Sequence, residues 1–374
     1  MMQTTADIVI IGAGVIGCST AYHLAKMGIT DVAVVEMEQV GSGSSGKSAT
    51  MLSLQFRHDE VSIRMGKYSY ARYMEFEDEV GVPIDFKKTG WLSLATEESA
   101  KHLRKSAEML QSFDIETDLL EPDEIKRRYP EINVEDIVLG TWGPDDGPFD
   151  PHMIMWGYIN RAREMGVTLY QGARATGIQI RNGQVEGVNT DQGFVSTGVV
   201  VNAGGPWAIE IGRWAGVEIP INNQVRNILV TAPFPDIPST NPFVMDLAAE
   251  WYYRPEGPGV LMGMGTTPTE TFDVHVSREA MKEMIETATH RVPLLEHASI
   301  LTTWAGVRPT TSDERPILGP APSVEGLVLN CGWGGTGIIQ APIAGQLVGE
   351  YVSNGHTLTM DIGPLGISRF TREP

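Results

Sequence analysis

Cysteine is nearly absent: only Cys18 and Cys331 occur in 374 residues. Two cysteines cannot build a disulfide framework or a multi-cysteine zinc or iron–sulfur site, so no metal is expected and a cytoplasmic setting fits. Positive charge is scarce too, with 28 Lys and Arg against 47 Asp and Glu and a formal net charge of −19. That balance, with no basic stretch, argues against nucleic acid and anionic membranes, which need concentrated Lys and Arg. The acidity reads as a solvated surface. No run reaches the ~18–20 continuous apolar residues of a membrane helix. Residues 1–6 are polar, so no secretory segment is expected and the protein should be soluble.

What is present is a hydrophobic content of 42%, ample for packing, in a chain longer than one typical core. Two domains, or one elaborated domain, are expected. The strongest local signal lies at 7–36, DIVIIGAGVIGCSTAYHLAKMGITDVAVVE. Residues 7–11 read as a buried parallel strand, and Gly12, Gly14 and Gly17 form G-x-G-x-x-G directly after it. Gly12 permits the tight turn, Gly14 lets the backbone approach a pyrophosphate, and Gly17 lets the next helix pack on the sheet with its N-terminus toward the negative charge. Glu36 closes a second strand where a carboxylate can accept ribose hydroxyls. The motif alone leaves FAD and NAD open; its place at the head of the sequence favours FAD. The stretch that follows, GSGSSGKSA at 41–49, suits a segment lying against a flat ring, or equally a flexible surface loop.

Further along, 60–79 reads as a helix, 90–95 as a strand, 97–113 as a charged helix and 120–130 as a short helix ending before a proline. Residues 142–151 are turn-rich, and Pro151 can open a helix to about 165. Residues 167–201 read as a small meander with turns at 181–183 and 191–193, closing on the buried strand 198–202. The turn Ala203-Gly204-Gly205-Pro206-Trp207 leads into a helix to about 215, and 277–292 is another helix. The glycine-rich 332–337 follows a strand at 327–330 and opens a helix over 343–352, a second junction whose N-terminus could face an anionic atom. The fold class is therefore α/β with an α+β second domain: a Rossmann-type dinucleotide domain of 1–85, 145–217 and 301–374, and a discontinuous mixed-sheet substrate domain of 86–144 and 218–300.

These stretches resemble the D-amino acid oxidase family of FAD enzymes, which includes glycine oxidase, sarcosine oxidase and dye-linked proline dehydrogenase. The resemblance covers nearly the whole length. It rests on GAGVIG with Glu36, GSGSSGKSA, VVNAGGPWA at 200–208, YYRPEG at 252–257, WAGVRPTTSDERPILG at 304–319 and GWGGTGIIQAP at 332–342. The beta subunits of sarcosine oxidase and of L-proline dehydrogenase look most similar.

The resemblance implies non-covalent FAD and hydride transfer to flavin N5 from the carbon beside the nitrogen of a small amino acid or N-alkyl amino acid, giving the imine. It implies cofactor contacts from Gly12, Ala13, Gly14, Val15, Ile16, Gly17 and Glu36; from Ser44, Ser45, Lys47 and Ser48; from Ala203, Gly204 and Gly306; and from Gly334, Gly335, Thr336, Gly337 and Ile338. Arg308 occupies the position where relatives bind the substrate carboxylate, with bracing of a domain junction as the structural alternative, and Tyr252 supplies an active-site hydroxyl. Arg57 and His58 could approach the flavin; the usual family arginine nearby is Ser53 here. Monomeric sarcosine oxidases attach flavin to a cysteine where this chain has Gly306, leaving Cys331 a weak candidate. Their oxygen-activating lysine falls near Leu261, which points to a dye or protein acceptor rather than air; a second subunit is the other partner the resemblance implies. A 2-hydroxy acid dehydrogenase, or a non-catalytic assembly factor, is the alternative reading.

Overall fold

The structure, a computed structural model, describes residues 2–55, 57 and 59–370; His58 lies outside the described residues. Its first layer is a six-stranded sheet in the order Ile317–Pro320, Leu327–Cys331, Val199–Asn202, Ile8–Ile11, Val32–Glu36, Thr168–Gln171. All neighbours are parallel except the terminal pair, where Ile317–Pro320 runs antiparallel to Leu327–Cys331. Parallel strands covered on both faces read as continuous apolar runs, and Val9, Ile10 and Val34 are fully buried. Helices Val15–Lys26, Pro151–Glu164 and Gly337–Asn354 pack on one face. The other face is covered by the helix Ala208–Trp214 and a three-stranded antiparallel sheet, Ala175–Arg181, Gln184–Thr190 and Gly193–Ser196. Its first hairpin turns at Asn182 and Gly183, both in the left-handed region (φ 52° and 79°) that an Asn-Gly turn requires.

The second layer is an eight-stranded sheet in the order Ile300–Thr310, Asn222–Thr231, Gly259–Pro268, Trp251–Glu256, Phe243–Asp246, Trp91–Ala95, Leu139–Gly143, Asp118–Leu120. One face packs Leu92, Leu94, Leu229, Val244, Trp251, Tyr253 and Met262 against Met284 and Ala288 of the helix Arg278–Arg291. By the two-residue period of a strand, the other face carries Trp91, Phe243, Met245, Tyr252, Ile228, Arg226, Gly306 and Arg308. The strand Ile300–Thr310, expected with the dinucleotide-binding pieces, hydrogen-bonds along its length to Asn222–Thr231 and belongs to this larger sheet.

Three helices differ from expectation. The helix over 60–79 is two, Glu60–Met74 and Phe76–Val80, and the break turns Phe76 and Val80 into the core. The stretch 120–130 begins as an edge strand, and its helix is Pro122–Arg128 with proline in the first turn. The helix expected to begin at 343 begins at Gly337 and runs through Pro342. No helix among the described residues is long and apolar enough to cross a membrane.

A candidate cofactor and substrate site between the sheets

The site begins at the turn after Ile8–Ile11. Gly12 has φ 104°, and a Cβ there would lie 2.6 Å from the Ala203 carbonyl oxygen; one on Gly17 would lie 1.9 Å from the Gly12 oxygen. Only glycine fits either place. Gly14 caps the helix Val15–Lys26, and the Val15 amide donates to Ser45 Oγ at 3.1 Å, tying the 41–49 loop to the helix start. Glu36 is 7% exposed. Its Oε2 accepts the Ala13 amide at 2.8 Å and its Oε1 the Glu38 amide at 2.9 Å. Burial pushes this carboxyl above the usual range, against the pull of the amides. Each oxygen retains a second lone pair for a hydroxyl donor.

From Glu36 a cavity of about 450 Å³ runs between the two sheets to Tyr252. Gly12, Gly14, Val15, Ile16, Ser44, Ser45, Lys47, Ser48, Ala203, Gly204, Gly306, Gly334, Gly335, Gly337 and Ile338 all line it. Ala13, Gly17 and Thr336 do not. Ala13 and Gly17 build the turn, while Thr336 caps the helix Gly337–Asn354 and bonds the Trp333 carbonyl, on the side of a smaller crevice shared with Arg57. The loop is fastened over the large sheet by Ser44 donating to the Val307 carbonyl and by Trp304 Nε1 donating to the Lys47 carbonyl at 3.1 Å. A Cβ on Gly306 would sit 3.2 Å from Lys47 Cβ, so this gap stays narrow and flat.

The far end of the cavity is lined by the other face of the eight-stranded sheet. Trp91 stacks on Phe243 at 4.0 Å between centroids, and Phe243 on Tyr252 at 5.1 Å. The Tyr252 phenol lies over Gly263, its cross-strand partner, where a Cβ would meet Oη at 2.2 Å. Burial raises the Tyr252 hydroxyl's pKa despite the fields of Arg226, Arg308 and Arg254, so at neutral pH it is a neutral hydrogen-bond donor. Arg308 lies against the glycine crest: a Cβ on Gly335 would be 3.0 Å from its Cζ. Its Nε is buried with no partner, and burial together with the Arg226 charge lowers its pKa.

Arg226, Trp91, Phe243 and Met245 also line the cavity and are not singled out by any motif; the usable signal was their alternation along strands whose pairing is non-local. Two expectations need correction. Leu261, expected near the flavin, packs with Ile228 and Val230 and does not line the cavity. Arg57 is turned away from the main cavity: it is 2% exposed, lies against Gly66 and donates to the Ser53 carbonyl at 2.6 Å. Cys331 does line the cavity, yet burial pushes its thiol up to about 12, which suppresses the reactive thiolate.

A sequence model of FAD-dependent oxidoreductases matches residues 7–351. Among solved structures, L-proline dehydrogenase from P. horikoshii superimposes with a TM-score of 0.91 at 30% identity, covering 99% of each chain. Human mitochondrial sarcosine dehydrogenase is 30% identical over 374 residues, 95% of this chain and 40% of that protein. The beta subunit of sarcosine oxidase from Arthrobacter sp is 28% identical over 372 residues, 97% of this chain and 91% of that one. The chain thus spans about two fifths of the length of the mammalian dehydrogenase it matches. With the family match running from the glycine turn through the helix behind the second glycine crest, the chain belongs to the DAO family of FAD-dependent oxidoreductases.

Proposed function

We propose that the chain oxidises a small amino acid or N-alkyl amino acid to the imine, with FAD held without a covalent bond. The observation that carries this reading is a half-buried guanidinium, Arg308, whose buried Nε has no partner, on the same cavity wall as the neutral hydroxyl of Tyr252. A buried charge without a counterion is costly, so the cavity suits an anionic ligand group. A carboxylate matches the planar fork with two parallel hydrogen bonds.

The other end fits the dinucleotide. The turn at Gly12–Gly14 and the helix start behind it present amides to a pyrophosphate, and Glu36 has acceptor capacity for ribose hydroxyls. Gly306 and the crest at Gly334–Gly335 leave room for a flat ring. Bound FAD supplies the hydride acceptor, a role no side chain here can fill. Arg308 orients the substrate by its carboxylate, and Tyr252 donates to it. Trp91, Phe243 and Met245 exclude water from the carbon that loses hydride, while the nitrogen gives up a proton as the imine forms. Because one relative is named a beta subunit, we also propose that the chain works with a second subunit.

Anaerobic bleaching of the yellow protein against amino acids, N-methyl amino acids and 2-hydroxy acids tests the reading. Bleaching by an amine-bearing acid is expected; bleaching by hydroxy acids alone would replace the reaction, and no bleaching by any would favour a non-catalytic role. Acid precipitation should leave the colour in solution, and colour in the washed pellet would mean covalent attachment.

A further inference from the structure

We propose that Arg226 is a second carboxylate-binding guanidinium, and that the site takes small amines carrying two carboxylates. This rests on the amine-oxidising reading above and narrows its substrate class. Arg226 lies on Asn222–Thr231 directly opposite Gly306, and Arg308 lies opposite Gln224. The two arginines are therefore diagonal neighbours on one face of a regular antiparallel pair, with backbones separated by about 7–8 Å. Gly306 offers no side chain to cover Arg226.

Arg226 Nη1 and Arg308 Nε are both buried without a partner, and neither side chain takes part in any hydrogen bond or ion pair among the described residues. Other buried or half-buried arginines have partners: Arg57 donates to the Ser53 carbonyl, and Arg72 pairs with Glu75 and Glu79, Arg254 with Glu256, Arg291 with Asp136 and Asp246, Arg315 with Asp59, Arg369 with Asp313. The two unpaired ones share one cavity wall. Of the acids lining that cavity, Glu36 at the far end is bound to two backbone amides, and Glu210 sits on the helix Ala208–Trp214. The carboxylates whose fields reach Arg308, Glu314 and Glu250, form no ion pair with it.

Two cations this close repel, and the Arg226 charge is among the causes that lower the Arg308 pKa. A ligand with one carboxylate neutralises one and leaves the other unpaired in the half-buried wall, whereas a ligand with two pairs both. The same wall rejects the smaller charge by leaving a guanidinium unsatisfied, a repulsive element as well as an attractive one. Tyr252 and the aromatic row beside it bound the space left for the amine and its reacting carbon.

The test uses FAD-loaded protein and two ligands that carry sulfur in place of nitrogen and so cannot form an imine: thiodiacetate, with two carboxylates, and methylthioacetate, with one. Binding is read from the perturbation of the flavin absorbance, independent of turnover. The wild type should bind thiodiacetate at least about tenfold more tightly than methylthioacetate. Arg226→Gln should weaken thiodiacetate by about 30-fold and methylthioacetate by less than about threefold, with Arg226→Lys recovering only part of the loss. Equal affinities in the wild type, or equal weakening of both ligands in Arg226→Gln, would overturn the proposal. If Arg226→Gln fails to hold FAD, the wild-type comparison decides alone. Bleaching by monocarboxylate amines without a preference for thiodiacetate would sink this inference and leave the proposed function standing. Tight thiodiacetate binding with no amine able to bleach the flavin would do the reverse.

Discussion

The carboxylate of Glu36 takes amide hydrogens from Ala13 and Glu38 while facing the cavity, so it holds the glycine turn, and under the proposed function it also accepts a ribose hydroxyl. Glu36→Ala should therefore weaken FAD binding by about 1–3 kcal/mol and also lower the melting temperature of the FAD-free protein, because the buried Ala13 amide loses its acceptor. An unchanged apoprotein melt with weakened FAD would restrict Glu36 to the ribose. Its spacing from Gly17 made the ribose role legible in the sequence. The hold on the turn depends on which amide lies opposite, and no local pattern states that. Arg226 shows the same limit: within NNQVRNILVT it is one polar residue on an alternating strand, and only its register against Gly306 brings it beside Arg308. Leu261 is the converse case, a position named from the resemblance that packs with Ile228 and Val230 and does not line the cavity.

Among the elements, the helix Gly337–Asn354 shows why a proline after a glycine crest misleads. Pro342 has no amide hydrogen for the Ile338 carbonyl, which would be left open inside the core. The Tyr73 hydroxyl donates to that carbonyl instead, and Ser69 Oγ, one turn earlier on Glu60–Met74, accepts the Ile343 amide at 3.3 Å. The donor comes from 265 residues upstream, so the sequence near 342 reads as a stop. Tyr73→Phe should cost about 1–3 kcal/mol of stability, read by denaturant unfolding; a neutral result would mean that water or a shifted backbone satisfies Ile338. The same helix packs on Val15–Lys26 at Gly345, where a Cβ would lie 2.4 Å from Ser19 Oγ and 2.5 Å from His23 Nδ1. Burial holds the His23 pKa down at about 4, from 6.5. Between those values the unfolded chain binds the extra proton. The stability from neutral His23 is thus complete above about pH 6.5 and is lost as pH falls toward 4, by up to roughly 3 kcal/mol. Unfolding curves over that range should show the slope in the wild type and a flatter profile in His23→Gln. Parallel slopes would place the proton elsewhere.

At the scale of the whole molecule, the site exists because two sheets of different character face one another. The parallel sheet was readable as far as its strands are apolar throughout, and its glycine turn, second crest and aligned Glu36 fall along one side of the cavity. The eight-stranded sheet was less so. Its pairs join 300–310 to 222–231 and 243–246 to 91–95, contacts set by topology rather than by neighbours in sequence. For that reason Arg308 and Tyr252 could be named from the family resemblance, whereas the wall that joins them through Ile228 and Arg226 could not. The central claim is that Arg308 holds the carboxylate of an amine whose hydride goes to flavin. Its most direct test is the anaerobic rate of flavin reduction against substrate concentration in wild type and Arg308→Ala, with FAD content measured in both. Loss of a charge-assisted bidentate contact should cost ~2–4 kcal/mol, lowering the specificity constant for reduction by roughly 30- to 1000-fold, mainly through a higher half-saturating concentration, while FAD remains bound. Reduction that saturates at the same concentration and rate in Arg308→Ala would contradict it.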